Sequence, residues 1–183
     1  MKVYINPGHD LERDSGAIHP NSGLRECEVA ADIGGMVARY LEAAGCEVQV
    51  LQSDNLAGET PELPCVVDEA NEWPADIFIS LHCNAANRAA RGTEVEVYNL
   101  DSEAAALGEC IQAQIVDSVG TADRGLRERP HLIVLNSTDM PAVLVEMAFI
   151  DNDEDAALLT DHMDDFARAI ARGVTDYELE ASK

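Results

Sequence analysis

Two histidines and two glutamates occupy positions from which they could act on one ligand. His9 follows the first short apolar run and His82 ends the run at 77–81, and strand ends form the crevice in which open α/β sheets bind ligands. Glu26 lies in the first turn of a predicted helix, and Glu146 lies in a later apolar segment. Two imidazoles and one carboxylate are the ligand set of a catalytic zinc, which keeps a fourth position for water. His9, Glu26 and His82 can therefore be the ligands of one Zn²⁺, and Glu146 can be the general base.

Each of these residues also has an ordinary structural interpretation. A histidine after a strand often caps or hydrogen-bonds the chain, and Glu26 would stabilise the start of its helix through the helix dipole. Glu146 is harder to explain in this way, because an unpaired carboxylate is costly to bury in an apolar segment. Cys83 is a candidate soft ligand beside His82, but neighbouring strand residues point to opposite faces, so we expect it to point away.

The other three histidines serve as comparisons for this interpretation. His19 lies in a polar loop and His162 in an acidic predicted helix, so we expect both at the surface. His131 begins an apolar run and is a candidate for lining the cleft.

The elements that must position these side chains alternate between strand and helix. Predicted strands cover 2–6, 46–51, 77–81, 92–98, 131–135 and 142–147, and predicted helices cover 25–44, 65–73, 102–119 and 153–174. Such alternation predicts an α/β fold: a single domain with a mostly parallel twisted sheet of about six strands and helices on both faces. We place the domain at residues 1–175 and a short C-terminal tail at residues 176–183.

The composition limits the partners. The chain has 35 acidic and 12 basic residues among 183, a formal net charge of −23, so we expect it to repel nucleic acid, anionic lipid and anionic wall polymers. No apolar run approaches the length of a membrane span. The first residues reach a turn too early for a signal peptide, which predicts a protein made in the cytoplasm. Five scattered cysteines indicate a reducing compartment during folding. We expect a monomer.

Four ordered motifs carry a family resemblance. They resemble motifs of the zinc-dependent N-acetylmuramoyl-L-alanine amidases of the third amidase family, found in bacterial wall hydrolases and phage endolysins. The matching segments are 6–9, 23–26, 80–85 and 141–146, with further similarity at 70–71 and 123–126. Together they extend the resemblance over about residues 2–159.

The resemblance implies an α/β sheet with one zinc at His9, Glu26 and His82 and a catalytic residue at Glu146. It implies that peptidoglycan is the substrate, cleaved at the amide between the lactyl group of N-acetylmuramic acid and L-alanine, with residues 1–175 as the catalytic domain acting on the cell wall. Asn84, Arg124 and Arg127 are candidates for contacts with the substrate or its oxyanion. The alternatives are a zinc carboxypeptidase or other amide hydrolase, and a catalytically silent wall-binding or regulatory module.

The sequence departs from the family pattern in three places. Asp10 and Leu11 replace the usual pair of glycines after the first histidine, and Ala148 replaces a glycine. Val66 and Val67 stand where an arginine is common. None of these positions is a predicted ligand or the predicted base, so we expect the departures to affect the shape of the cleft and the substrate preference.

Overall fold

The computed structural model describes residues 1–181, which fold around one sheet. Along the chain, the elements are β1 (Lys2–Pro7), α1 (Glu26–Ala43), β2 (Glu47–Val50), α2 (Val66–Glu72), β3 (Ile77–Asn84), β4 (Thr93–Val97), α3 (Glu103–Val119), β5 (Asp123–Glu128), α4 (Ile133–Asn136), β6 (Ala142–Phe149), α5 (Asp153–Asp161) and α6 (Met163–Ala181). Within this range, no helix is long and apolar enough to cross a membrane.

The strand order of the sheet is β2-β1-β3-β6-β4-β5 among the described residues. Every neighbouring pair is parallel except β4 and β6, which run antiparallel. The predicted α/β fold with a mostly parallel six-stranded sheet is therefore confirmed. β3 and β6 lie at its centre, and they carry His82 and Glu146 side by side.

Alternate strand residues pack against different helices, as the period of a β-strand requires. Val3 and Ile77 contribute to a core with α1, α3 and α6, whereas Tyr4 and Phe78 contribute to a second core with α2 and α4. Helices therefore cover both faces, as predicted. The helices of the second face, α2 and α4, are short, with seven and four residues.

The prediction and the structure differ in three elements. The strand predicted at 131–135 is wrong: this run forms the short helix α4, because a short apolar run does not by itself distinguish strand from helix. β5 was not predicted, because four of its six residues are charged. The last predicted helix is two helices that meet at His162. α6 runs through Ala181 and so crosses the boundary placed at residue 175, while residues 182–183 of the predicted tail lie outside the described residues.

The histidines outside the predicted site also differ from expectation in one case. The prediction that His19 lies at the surface is wrong, since it is buried between Ser22 and Asp153, 2.8 and 3.0 Å from its two ring nitrogens. His162 is exposed, as predicted. His131 is exposed as well, and the residues that follow it line the cavity described below.

Candidate metal and catalytic site

Glu26 lies at the centre of the site, where the start of α1 meets the end of β3. Its Oε1 lies 3.0 Å from Nδ1 of His82 and accepts a 2.9 Å hydrogen bond from the backbone N–H of Cys83. Its Oε2 lies 3.1 Å from Nε2 of His9 and accepts from the N–H of Ala17 at 2.8 Å. Burial disfavours this carboxylate, but the two imidazoles outweigh burial and hold the pKa of Glu26 well below its usual value. Glu26 is therefore a buried anion that joins both histidines.

His9 is held by the loop that follows β1. Its backbone adopts a left-handed conformation, φ 64°, which is uncommon for a residue other than glycine and clusters at functional sites. On the ring, Nδ1 lies 2.7 Å from Oδ2 of Asp14, which leaves Nε2 towards Glu26. Burial lowers the pKa of His9, but the interactions with Glu26 and Asp14 outweigh it and raise the pKa to about 9.

The structure brings the three predicted ligands together. One donor atom each from His9, Glu26 and His82 lies within 4.8 Å of the others. Two glycines allow this approach: a Cβ atom at Gly8 would overlap the His82 ring, and one at Gly16 would overlap both Glu26 and His9. Sequence reasoning did not single out either glycine, because their role depends on a close approach of side chains from distant segments.

Cys83 does not belong to this group of donor atoms. It is 3% exposed and packs in the core formed with α1, α3 and α6, on the face opposite His82. The expectation that Cys83 points away from its neighbour is therefore confirmed.

Glu146 lies on β6, next to the strand that carries the predicted ligand His82. It is the register partner of His82 on β3, and its Oε2 atom has no hydrogen-bond partner within residues 1–181. Burial, followed by the charges of Glu26, Glu96 and Glu94, raises the pKa of Glu146 well above its usual value. A metal ion held by the neighbouring predicted ligands would supply a partner for this buried oxygen.

A cavity of about 200 Å³ opens beside the donors. His9, His82 and Asp14 form its polar end, and Leu56 and Leu144 belong to its apolar part. Further lining residues are Asn6, Gly8, Ser53, Asp54, Leu132, Ile133 and Val134. Two separate loops, before α2 and around α4, therefore wall the space next to the metal donors, as expected for a substrate cleft.

Comparison with known proteins decides the family. Residues 3–176 match the Amidase_3 family, described as N-acetylmuramoyl-L-alanine amidase. The chain belongs to this amidase family. It is 35% identical to N-acetylmuramoyl-L-alanine amidase LytC of Bacillus subtilis over 180 residues, which cover 96% of the chain and 35% of LytC. The endolysin of Bacillus phage SPP1 is 32% identical over 95% of the chain and 65% of the endolysin. The chain thus spans about a third of the first relative and just under two thirds of the second.

A solved structure of an amidase has the same fold. N-acetylmuramoyl-L-alanine amidase AmiC2 of Nostoc punctiforme superimposes with a TM-score of 0.86 at 30% identity, covering 98% of this chain and 97% of that one. The likeness extends over the whole domain, including β3, β6 and α1, which carry the site.

The departures from the amidase family pattern have visible consequences here. Oδ1 of Asp10 accepts hydrogen bonds from the N–H groups of Glu12 and Arg13, at 2.9 and 3.0 Å, and so forms a turn. This turn returns the chain to Asp14, whose backbone pairs with that of Asp10 and whose side chain contacts His9. Asp10, which replaces one of the two glycines, therefore helps to place a carboxylate on a predicted ligand of this amidase-family chain.

A residue that the sequence analysis missed organises the other side of the site. Glu94 on β4 is 4% exposed and is the register partner of Glu146. It accepts a 3.1 Å hydrogen bond from Nδ2 of Asn84 and a 2.7 Å hydrogen bond from Nε of Arg124, and Nε of Arg127 lies 3.8 Å away. All three predicted substrate contacts therefore converge on Glu94. The sequence signal was a glutamate within the alternating segment 92–98. Its burial is visible only in the structure.

Proposed function

We propose that this chain is a zinc-dependent N-acetylmuramoyl-L-alanine amidase that cleaves peptidoglycan between the lactyl group of N-acetylmuramic acid and L-alanine. The observation that carries the proposal is the convergence of His9, Glu26 and His82 within 4.8 Å, with Glu146 in register beside His82. Membership of the amidase family supports the same reaction. Peptidoglycan is then the partner, and the cell wall is the place of action.

The donor set fits zinc. Two imidazoles with one carboxylate are typical of catalytic zinc sites, and the buried Oε2 of Glu146 has no partner among residues 1–181 that would otherwise occupy it. His9 would bind through Nε2 and His82 through Nδ1, the nitrogens that face Glu26. A zinc ion bound there would supply a Lewis acid for the scissile carbonyl and would lower the pKa of water to about 7.

Glu146 moves the proton in this proposal. Because burial and neighbouring carboxylates raise its pKa, Glu146 holds a proton more readily than an exposed glutamate does. Its carboxylate accepts a proton from the attacking water and then donates it to the alanine nitrogen as the amide breaks. The proton thus passes from the nucleophile to the leaving group through one side chain.

Asp14 and the polar residues around Glu94 have supporting roles. A carboxylate on the second ring nitrogen fixes the orientation of a metal-binding imidazole, and Asp14 occupies that position on His9. Asn84, Arg124 and Arg127 remain our candidates for substrate or oxyanion contacts, because their side chains converge on Glu94, the register partner of Glu146.

Digestion of purified peptidoglycan tests the proposal. Zinc-loaded protein should release new N-terminal alanine and leave muramic lactyl groups free, and a chelator should stop the release. A carboxypeptidase would instead release the last residue of the stem, and a silent wall-binding module would release nothing. Either result would contradict the proposal. A monomeric state and lack of binding to nucleic acid or membranes remain predictions.

A further inference from the structure

Three arginines form a row at the edge of the sheet beside the candidate site. Arg124 and Arg127 lie on β5, and Arg129 follows it by one residue. They are a quarter of the 12 basic residues in a chain of net charge −23. Such local concentration of guanidinium groups in an acidic protein calls for a physical explanation.

Two buried glutamates hold the row in place. Glu94 contacts Arg124 and Arg127 as described above, and Oε1 of Glu96 lies 3.2 Å from Nε of Arg129. Glu94 and Glu96 are 4% and 7% exposed. The guanidinium of Arg124 also lies over the ring of Phe149, 4.8 Å from its centroid. The arginines are therefore oriented before any ligand arrives, which lowers the entropic cost of binding.

The guanidinium groups remain partly open to solvent. The side chains of Arg124, Arg127 and Arg129 are 34%, 47% and 41% exposed. Arg124 and Arg127 approach Glu94 through Nε. Within the range 1–181, no residue hydrogen-bonds to their terminal amino groups. Terminal amino groups of arginine match the two oxygens of a carboxylate. The terminal amino groups of Arg124 and Arg127 are thus available to a ligand, while Nη1 of Arg129 donates a 3.3 Å hydrogen bond to the backbone oxygen of Glu128.

The position of the row relative to the metal donors sets which group it can reach. His82, Glu146 and Glu94 are successive register partners across β3, β6 and β4, so Glu94 lies two strand spacings, about 10 Å, from the His82 strand. An extended peptide advances about 3.5 Å per residue. A stem peptide whose first amide lies at the predicted metal ligands and which runs across β6 and β4 advances about 7 Å over two residues, so its second residue lies within reach of the long side chains of Arg124 and Arg127.

We infer that the row formed by Arg124, Arg127 and Arg129 binds a carboxylate of the stem peptide, carried by the residue after L-alanine. This inference rests on the proposed amidase function. In peptidoglycan that residue is a γ-linked D-glutamate, whose α-carboxyl group is either free or amidated. The row distinguishes the two forms: it favours the free carboxylate, and the amidated stem loses the charge-assisted hydrogen bonds.

Kinetics on two matched substrates test the inference. The substrates are N-acetylmuramoyl-L-Ala-γ-D-Glu-L-Lys and its isoglutamine form, both with a C-terminal amide so that one carboxyl group differs. For the zinc-loaded wild type, kcat/KM for the acid should exceed that for the amide by about tenfold, mainly through KM. In R127Q/R129Q this ratio should fall close to one. R127K/R129K keeps the charges without the planar donors and should give an intermediate ratio.

The exposed Arg39 on α1 provides the matched control. R39Q makes the same change of charge and should keep the wild-type ratio. A wild type that does not discriminate, or a double variant that keeps the full ratio, would overturn the inference and leave the arginines with the task of neutralising Glu94 and Glu96.

Binding separates this inference from the proposed function. The free tripeptides contain no scissile lactyl amide, so calorimetric titration with them does not depend on turnover. Tighter binding of the acid form to wild type, lost in R127Q/R129Q, would support the row even if neither muramoyl substrate were cleaved. Cleavage of both substrates at equal rates, with equal binding of both tripeptides, would disprove carboxylate binding by the row. The amidase proposal would be unaffected by this result.

Discussion

His82 and Glu146 are register partners on the adjacent parallel strands β3 and β6. This pairing places the predicted base one strand spacing, about 4.8 Å, from a predicted metal ligand in the backbone. It involves residues 64 positions apart in a chain of 183, and the sheet alone fixes their separation. We therefore expect substitutions of Glu146 and of His82 to have different effects on turnover and on metal binding.

Replacement of Glu146 by glutamine should remove turnover without removing metal. The amide cannot take a proton from water, so we expect hydrolysis to fall by at least about 10²-fold. Zinc content, measured by mass spectrometry, should stay at one per chain because Glu146 is not among the converging donors. E42Q, at an exposed glutamate of α1, is the control and should retain activity. Wild-type hydrolysis by E146Q would disprove the assigned role.

Replacement of a predicted ligand should instead release the metal. H9A and H82A each remove one of three protein donors, so we expect the zinc content to fall well below one per chain. C83A changes the neighbour of His82 on the opposite face and should still bind one zinc. Zinc at about 100 times its dissociation constant should stabilise wild type by about 2.7 kcal/mol, and neither histidine variant should show this stabilisation. Full zinc binding by H9A would remove His9 from the site.

Glu146 should also make the stability of the metal-free protein depend on pH. Its pKa in the folded state is raised, so below the unfolded-state pKa both states hold the proton. As pH rises from there through the folded-state pKa, the unfolded chain loses its proton first and the protein loses stability. E146Q lacks this loss. In urea titrations with chelator, its stability relative to wild type should rise between pH 4 and pH 8, whereas that of E42Q should not.

Two of the three histidines outside the site, His19 and His162, should differ sharply on truncation. His19 is buried and joins the loop before α1 to the start of α5 through Asp153, so H19A should cost about 2 kcal/mol in the free energy of unfolding. His162 is exposed, and its side chain pairs only with Asp165 among residues 1–181, so H162A should cost less than about 0.5 kcal/mol. If chemical denaturation showed equal losses in the free energy of unfolding for H19A and H162A, the buried contacts of His19 would not contribute to stability.

Salt should stabilise the whole domain. A net charge of −23 on 183 residues repels itself in the folded state, and raising ionic strength from 0.01 to 1 M shortens the Debye length from about 30 to about 3 Å. We expect the melting temperature in NaCl to rise by about 5 °C. Sucrose of equal osmolality controls for effects unrelated to charge, and an equal rise in sucrose would contradict the electrostatic explanation.

The sequence by itself determined the fold class and the predicted ligands. Alternating strands and helices indicate a parallel sheet, and His9 and His82 stand out because each follows an apolar run. Glu146 stands out because a carboxylate interrupts apolar residues. These signals are local in the chain: each needs only a few neighbouring residues to be visible.

Only the tertiary structure shows that β4 runs antiparallel to β6, that the polar segment β5 is a strand, and that Glu94 organises part of the site. β5 is an edge strand that pairs with β4 alone, so it needs no apolar run, and its charged residues gave no strand signal. Glu94 acquires its partners from Asn84 and Arg124, which lie 10 and 30 residues away. His19 is buried for the same reason, because its partner Asp153 is 134 residues distant. Contacts between distant segments form only when the sheet assembles, and no local pattern encodes them.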